Sequence, residues 1–431
     1  MDYNNLSFDI NDMFGRKKFV QNLMRIVDGW DQIKHESESL VMSLDAPWGS
    51  GKSYLLNMWR NWLISDENSD KNYYVTYYNA WENDDCDNAF IPLVYKLQEM
   101  DASEEGDKVL ETLKVKTKNF VKACGIALIK DTIKKTIGEE TANLANKGIE
   151  GATKATAKSF FDKYRVYISE KDKFRRALSD LIPDDGKLII FIDELDRCRP
   201  TFAIETLEIV KHYFDIKNIV FVFAIDLDQL SHSISTMYGV GMDSAGYLRR
   251  FFDININIPT GDINNYISQK LKNQINKLGF SEKFINIICN IYTKLNLSLR
   301  DFDKISNNFL IFCLYYKPII DKKVSKERSN NIDDLLEVYF YFMTLKYKFP
   351  NIYYMILKQD FRKYDNQPAN WSALEFKYFV STNINLLLDK MQTGGAKSID
   401  QALSLTYGMI DENSNKLSFA ENVERTIEMF M

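Results

Sequence analysis

The chain has 431 residues, 45% apolar and 27% charged, a balance that excludes collagenous, low-complexity and wholly disordered classes. At roughly 100–200 residues per domain, this length predicts two to four domains able to bury a core without disulfides or structural metal. A net charge of −5 supplies no global basic field for a phosphate backbone, so charge does not indicate nucleic acid as a partner.

Glycine (18) and proline (8) are scarce, so helix should dominate. The five cysteines are odd in number and widely spaced, with no CxxC pair. That argues against a disulfide framework or a zinc ribbon, and for a reducing, cytoplasmic compartment. The N-terminus, MDYNNLSFDIND, lacks the basic and apolar regions of a signal peptide. No uncharged apolar run reaches about 18 residues, so no transmembrane segment is expected.

In chain order, residues 16–34 carry apolar side chains at helical spacing. Residues 40–44 (LVMSL) predict a buried strand, and 73–78 (YYVTYY) a strand rich in β-branched and aromatic residues. The runs 188–192 (LIIFI) and 219–225 (IVFVFAI) suit parallel strands covered on both faces. A fifth strand, 254–258 (ININI), alternates and is closed by Pro259. Helical patterns fill the gaps, which predicts an α/β fold with a largely parallel sheet. Between the second and third strands, 107–165 reads as a lysine-rich, soluble helical insertion, peripheral and removable. A membrane-surface or partner-binding helix is the alternative. After Pro259 the chain reads as helical, with breaks near 279–281, 321–330 and 364–369. The organisation expected is an α/β core (1–106 and 166–260), the insertion (107–165), a helical lid (261–320) and a helical C-terminal domain (321–431).

The strongest chemical signal is APWGSGKS (46–53), set between a strand and a helix. Small residues let the backbone N–H groups of Trp48, Gly49, Ser50 and Gly51 wrap a phosphate, and the helix that opens with Lys52, Ser53 and Tyr54 adds its positive end. Lys52 would reach the β- and γ-phosphates, and the Ser53 hydroxyl would ligate Mg²⁺. The first glycine position of GxxxxGK[ST] holds Ala46, tolerable while its φ stays negative. The second signal is Asp193-Glu194 at the end of LIIFI. A carboxylate ending a buried strand is costly unless it meets a cation. Asp193 would hold the Mg²⁺ shell, and Glu194 would orient or deprotonate the attacking water. A bland reading makes Glu194-Leu195-Asp196 a cap for the next helix.

The motifs PWGSGKS, YYNAWEND (77–84), FIDELDRCRP (191–200), FVFAIDLDQL (221–230) and YLRRFFD (247–253) resemble, in order and character, the KAP family of P-loop NTPases. The resemblance covers about residues 10–316. It implies a P-loop NTPase sheet in the order 5-1-4-3-2, with ATP and Mg²⁺ as cofactors. Family members are membrane-associated or cytosolic NTPases, and bacterial ones include phage-exclusion and other defence proteins. Many carry paired transmembrane helices where this chain has the polar segment 107–165. Asp193-Glu194 stands where the family usually has two aspartates.

The resemblance also places weaker candidates. Asp226 ends the fourth strand, as a γ-phosphate sensor or as a helix cap. Asn79 and Trp81 end the second strand, with Trp81 better read as core. Arg249 and Arg250 are candidates for an arginine offered to a neighbouring subunit, Arg300 for a lid arginine, and Gly15-Arg16 for adenine contact. Two functions are then open: an ATP-hydrolysing switch in a cytosolic complex, or an ATP-binding scaffold. Glu194 favours the first, since a scaffold needs no catalytic carboxylate. A kinase would want an arginine-rich substrate lid, which the helical C-terminus does not resemble. The expected partners are further copies of the chain or effector proteins, in a bacterial anti-phage setting. His35, His212 and His232 show no metal-ligand spacing, and the aromatic run 338–343 reads as helical core.

Overall fold

The structure, a computed structural model, describes residues 3–32, 38–68, 71–86, 88–99, 104–127, 150–239, 241–278, 282–323 and 329–357. The breaks expected near 279–281 and 364–369, and everything beyond 357, lie outside them.

Two compact units divide the chain: Met1–Pro47 with Gly51–Pro259, and Trp48–Ser50 with Thr260–Met431. The first is built on five strands: β1 (Leu40–Asp45), β2 (Tyr73–Asn79), β3 (Lys187–Asp193), β4 (Ile219–Ile225) and β5 (Ile254–Asn257). They lie in the order β2-β3-β4-β1-β5, every pair parallel, which is the expected order read from the other edge. β3 and β4 are apolar at almost every position because both faces are covered. Ile190, Ile192, Phe221, Phe223 and Ile225 join one core cluster, while Ile189, Phe191, Val220, Val222 and Ala224 join the other.

The helices of this unit are α1 (Phe8–Asn11), α2 (Lys17–Gly29), α3 (Lys52–Leu63), α4 (Phe90–Gln98), α5 (Glu104–Ala127), α6 (Glu150–Ser179), α7 (Pro200–Tyr213), α8 (Leu227–Tyr238) and α9 (Ser244–Arg249). α2 and α3 cover the second face; α4 to α8 supply side chains to the first. The result is an α/β/α sandwich in which every strand's C-terminal end points to one edge, the edge where ligands of open α/β sheets bind.

The described residues of the segment 107–165 are helical, but they are not peripheral throughout. Leu113 and Phe120 of α5 are buried in the same cluster as the β3 and β4 side chains, and Ala123 of the same helix is buried as well. Phe120 stacks on Phe174 of α6 at 5.4 Å between ring centroids and meets the edge of Phe90 at 5.2 Å. The spacing 113, 120, 123 is one stripe of a helix, hidden in sequence by the lysines on the other faces. α6 runs without a break through the boundary expected at 165.

The second unit holds α10 (Ile263–Leu278), α11 (Glu282–Lys294), α12 (Leu299–Lys323), α13 (Ser329–Lys348) and α14 (Pro350–Leu357). Its described core is aromatic: Phe309 meets Phe340 edge-on at 5.2 Å, and Phe312 lies 4.6 Å from Tyr339. Residues Tyr339 to Met343 are buried, as expected of helical core. The boundary expected at 320 falls inside α12. No helix among the described residues is long and apolar enough to cross a membrane.

Candidate active site

The turn from β1 into α3 carries the phosphate-loop motif. Gly51 caps α3 with φ 86°, and Gly49 has φ 78°, left-handed conformations that favour glycine. A Cβ on Gly49 would come within 2.9 Å of Ser298 Oγ and 3.0 Å of Arg300 Cβ, so a side chain is excluded twice over. Ala46 is buried, donates its N–H to the Ile225 carbonyl at 3.1 Å, and is not among the residues of positive φ. The methyl in place of the first glycine is therefore accommodated.

Lys52 opens α3 with its side chain turned back into the loop. Its Nζ donates to the Ala46 carbonyl at 2.7 Å and lies 3.7 Å from Asp196 Oδ2. Ser53 follows, and its hydroxyl donates to the Asp193 carboxylate. Asp193 is buried at the end of β3. It accepts from the Tyr77 hydroxyl at 2.7 Å and from the Glu194 N–H at 2.9 Å. Burial pushes the Asp193 carboxyl above the usual range, and these three donors oppose that. Tyr77 belongs to β2, whose register sets Asn79 opposite Asp193.

Glu194 leaves the strand in the left-handed region, φ 60° and ψ 23°. Such a backbone in a non-glycine residue is uncommon and clusters at functional sites. Its carboxylate pairs with Arg197 Nη1 at 2.8 Å and accepts from Asn79 Nδ2 at 3.3 Å. Burial raises its pKa, and the Arg197 charge pulls it back.

Sequence reasoning missed Asp196, Tyr77, Arg197 and Asp45. Asp196 is buried three residues beyond Asp193 on a 3₁₀ turn. It pairs with Lys52 and accepts the Asp226 N–H at 3.2 Å. The sequence signal was its place in DELD, passed over as part of a helix cap. Asp45 ends β1 and accepts the Leu227 N–H at 3.0 Å; burial lifts its pKa.

The other candidates are less gathered. The Asp226 carboxylate caps α8 by accepting from the Gln229 N–H at 3.1 Å. Arg249 and Arg250 are exposed at the end of α9. Arg300, exposed near the start of α12, lies against Gly49 within the second unit. Gly15 has φ 67°, and Arg16 is buried with Nη2 donating to the Pro259 carbonyl at 3.1 Å; burial lowers its pKa to about 10. Tyr54 bonds the side chain of Asn11, four residues before Gly15. Trp48 is half exposed. Trp81, expected in the core, is 53% exposed. Its N–H donates to Asn79 Oδ1, which turns the chain outward just past the strand end.

Strand, glycine loop, a lysine that opens the following helix and two carboxylates at a strand end define a P-loop NTPase domain. The KAP family P-loop domain model matches residues 16–316, and the chain belongs to that family. No curated protein matches the chain. Among solved structures it is similar to the Aeropyrum pernix ORC2 protein in its ADPNP-ADP complexes, at 11% identity and TM-score 0.29, over 61% of this chain and 52% of that one. It is also similar to the Aeropyrum pernix ORC1 protein in complex with DNA, at 10% identity and TM-score 0.31, over 99% and 80%. Likenesses this loose carry no functional reading. The chain spans about half the length of the ORC2 structure (52%).

Proposed function

We propose that this chain is a Mg²⁺-dependent ATP hydrolase that acts as a conformational switch. The observation that carries this reading is the joining of Lys52, Ser53, Asp193 and Glu194 at one edge of the sheet by hydrogen bonds and register. The donor set suits the cofactors. Ser53 and Asp193 offer the hard oxygens Mg²⁺ prefers, and the left-handed glycines let backbone N–H groups line a phosphate cradle. Bound Mg²⁺ supplies neutralisation of the charge that develops on the transferring phosphoryl group. Lys52 exchanges its carbonyl and Asp196 partners for the terminal phosphates. The α3 N-terminus adds its dipole. Glu194 accepts the proton of the attacking water at a carboxylate oxygen.

Asp226 follows the γ-phosphate through its place between Asp196 and α8. Arg249 and Arg250 serve a neighbouring copy. Arg300 and Arg16, with Gly15, Trp48 and Tyr54, are further candidate nucleotide contacts. In the cell we place the switch in the cytoplasm, on its cysteine usage, and in a bacterial anti-phage complex, on the family resemblance alone.

The test is a pair of variants of the full chain. Lys52→Ala should abolish or severely weaken ATP·Mg²⁺ binding, measured by titration calorimetry. Glu194→Gln should bind ATP as before and lose about 10²-fold or more in hydrolysis, the scale of lost general-base catalysis. Unchanged affinity in a folded Lys52→Ala protein overturns the phosphate-loop assignment. Undiminished hydrolysis in Glu194→Gln overturns the base.

A further inference from the structure

Glu194 has a second layer of partners that the hydrolytic reading does not use. Its two carboxylate oxygens go to different donors: Oε1 to Arg197 Nη1 at 2.8 Å, Oε2 to Asn79 Nδ2 at 3.3 Å. Arg197 sits three residues on, across the 3₁₀ turn Leu195–Arg197, where side chains at i and i+3 eclipse. The pair is partly shielded, with side-chain exposures of 16% for Glu194 and 27% for Arg197. Behind the guanidinium lies an indole: Arg197 Cζ is 5.7 Å from the centre of the Trp81 ring. A planar guanidinium can stack on such a face while its edge pairs with a carboxylate, which an ammonium cannot do. Trp81 is itself tied to the same strand end, since its N–H donates to Asn79 Oδ1 at 3.1 Å. Asn79 thus bonds both the backbone of Trp81 and the carboxylate of Glu194.

We infer that Arg197 is a positioning residue that restrains Glu194 from the hydrolytic water, and that the exposed Trp81 indole is the backstop that holds Arg197 in that pose. The inference rests on the reading of Glu194 as the base. A carboxylate engaged at both oxygens, one of them by a cation, accepts a water proton poorly. Turnover requires Glu194 to exchange at least the Arg197 bond for the water. Trp81, large and outward-facing, is where such an exchange is set from the surface.

The experiment uses the full chain with Arg197→Ala, Arg197→Lys, Trp81→Ala and the Arg197→Ala/Trp81→Ala double variant; Arg197→Gln stands in if Arg197→Ala fails to fold. The readouts are kcat and KM for ATP, affinity for a non-hydrolysable ATP analogue, and amide exchange over residues 190–199 without nucleotide. Arg197→Ala should raise kcat by about three- to tenfold, the scale of one partly shielded charge-assisted bond, with KM and analogue affinity within about twofold. Exchange in the Glu194 segment should quicken. Trp81→Ala should move both readouts the same way by less, and should add nothing in the Arg197→Ala background, because the two act in series. Arg197→Lys should fall between wild type and Arg197→Ala. An unchanged or lower kcat in folded Arg197→Ala or Arg197→Gln overturns the restraint. A Trp81→Ala effect that persists in full in the double variant overturns the backstop. If wild type and Glu194→Gln hydrolyse alike, the base assignment fails on its own, and exchange alone decides: unchanged exchange in Arg197→Ala overturns the latch.

Discussion

Lys52 Nζ and Asp196 Oδ2 lie 3.7 Å apart, with both side chains almost wholly buried. The same Asp196 oxygen accepts the Asp226 N–H at 3.2 Å. One carboxylate therefore ties the phosphate loop to the end of β4, and it sits on the turn that follows Asp193.

Removing that carboxylate should be costly. In Asp196→Ala the Lys52 ammonium keeps only carbonyl partners, and the Asp226 N–H loses its acceptor. Breaking a buried pair from one side costs about 3–5 kcal/mol. We expect a loss near the lower end, because the Ala46 carbonyl still solvates Lys52 at 2.7 Å. Asp196→Asn keeps an acceptor for the amide and should lose less. Urea denaturation of the two variants checks the ordering, and equal stability of Asp196→Ala and wild type would remove the structural role.

The second expectation concerns pH. As the proposed base, Glu194 would work only as the carboxylate; burial raises its pKa, with Arg197 opposing and the Asp193 and Asp196 charges adding to the rise. Hydrolysis should therefore fall, as pH is lowered, through a midpoint above the ordinary glutamate value of about 4.3. The sign follows from the raised value: the active form is present above the shifted pKa and is lost below it. A kcat–pH profile under saturating ATP reads the midpoint directly. A limb at or below the ordinary value would show that the loaded site solvates Glu194 better than the free one.

Residues 107–165 read as removable from sequence, but Leu113 and Phe120 belong to the core of the first unit and Ala123 is buried beside them in α5. Phe120→Ala should destabilise the first unit by about 3–5 kcal/mol, as for other buried Phe truncations. Excision of 107–165 should collapse it. Thermal unfolding of the Phe120→Ala protein is the check; a melting point equal to wild type would return the segment to the periphery.

What could be read from sequence alone follows from where the information resides. β1, β3 and β4 were legible because burial on both faces writes continuous apolar runs, β2 through its β-branched and aromatic residues, and β5 through its alternation. Lys52, Asp193 and Glu194 were legible because their chemistry fixes their spacing along the chain. Asp196 and Arg197 were not, since their roles depend on the left-handed turn at Glu194. Tyr77 was hidden too: its bond to Asp193 depends on the β2–β3 register that pairs Asn79 with Asp193. Trp81 was misread because large aromatics usually pack inside, whereas the Asn79 side chain here turns it out of the sheet.

The last prediction is that hydrolysis depends on self-association. Arg249 and Arg250 end α9 with both side chains exposed, while Leu248 and Phe252 on either side are buried. Tyr247 and Phe251 pack edge to face at 5.2 Å and join the same core. The apolar side chains anchor the segment and leave the two guanidinium groups to project. No salt bridge joins either one to Asp193 or Glu194 of its own chain among the described residues. A planar, permanently charged guanidinium is suited to a γ-phosphate held by another copy. Specific activity should therefore rise with protein concentration. Arg249→Ala or Arg250→Ala should lower turnover by about 10²-fold or more with ATP affinity nearly intact, a conservative share of what an arginine finger contributes. Mixing either variant with Glu194→Gln should restore part of the activity, because one supplies the base and the other the arginine at a shared site. Turnover independent of concentration, with no rescue in the mixture, would make these arginines surface groups of a monomeric enzyme.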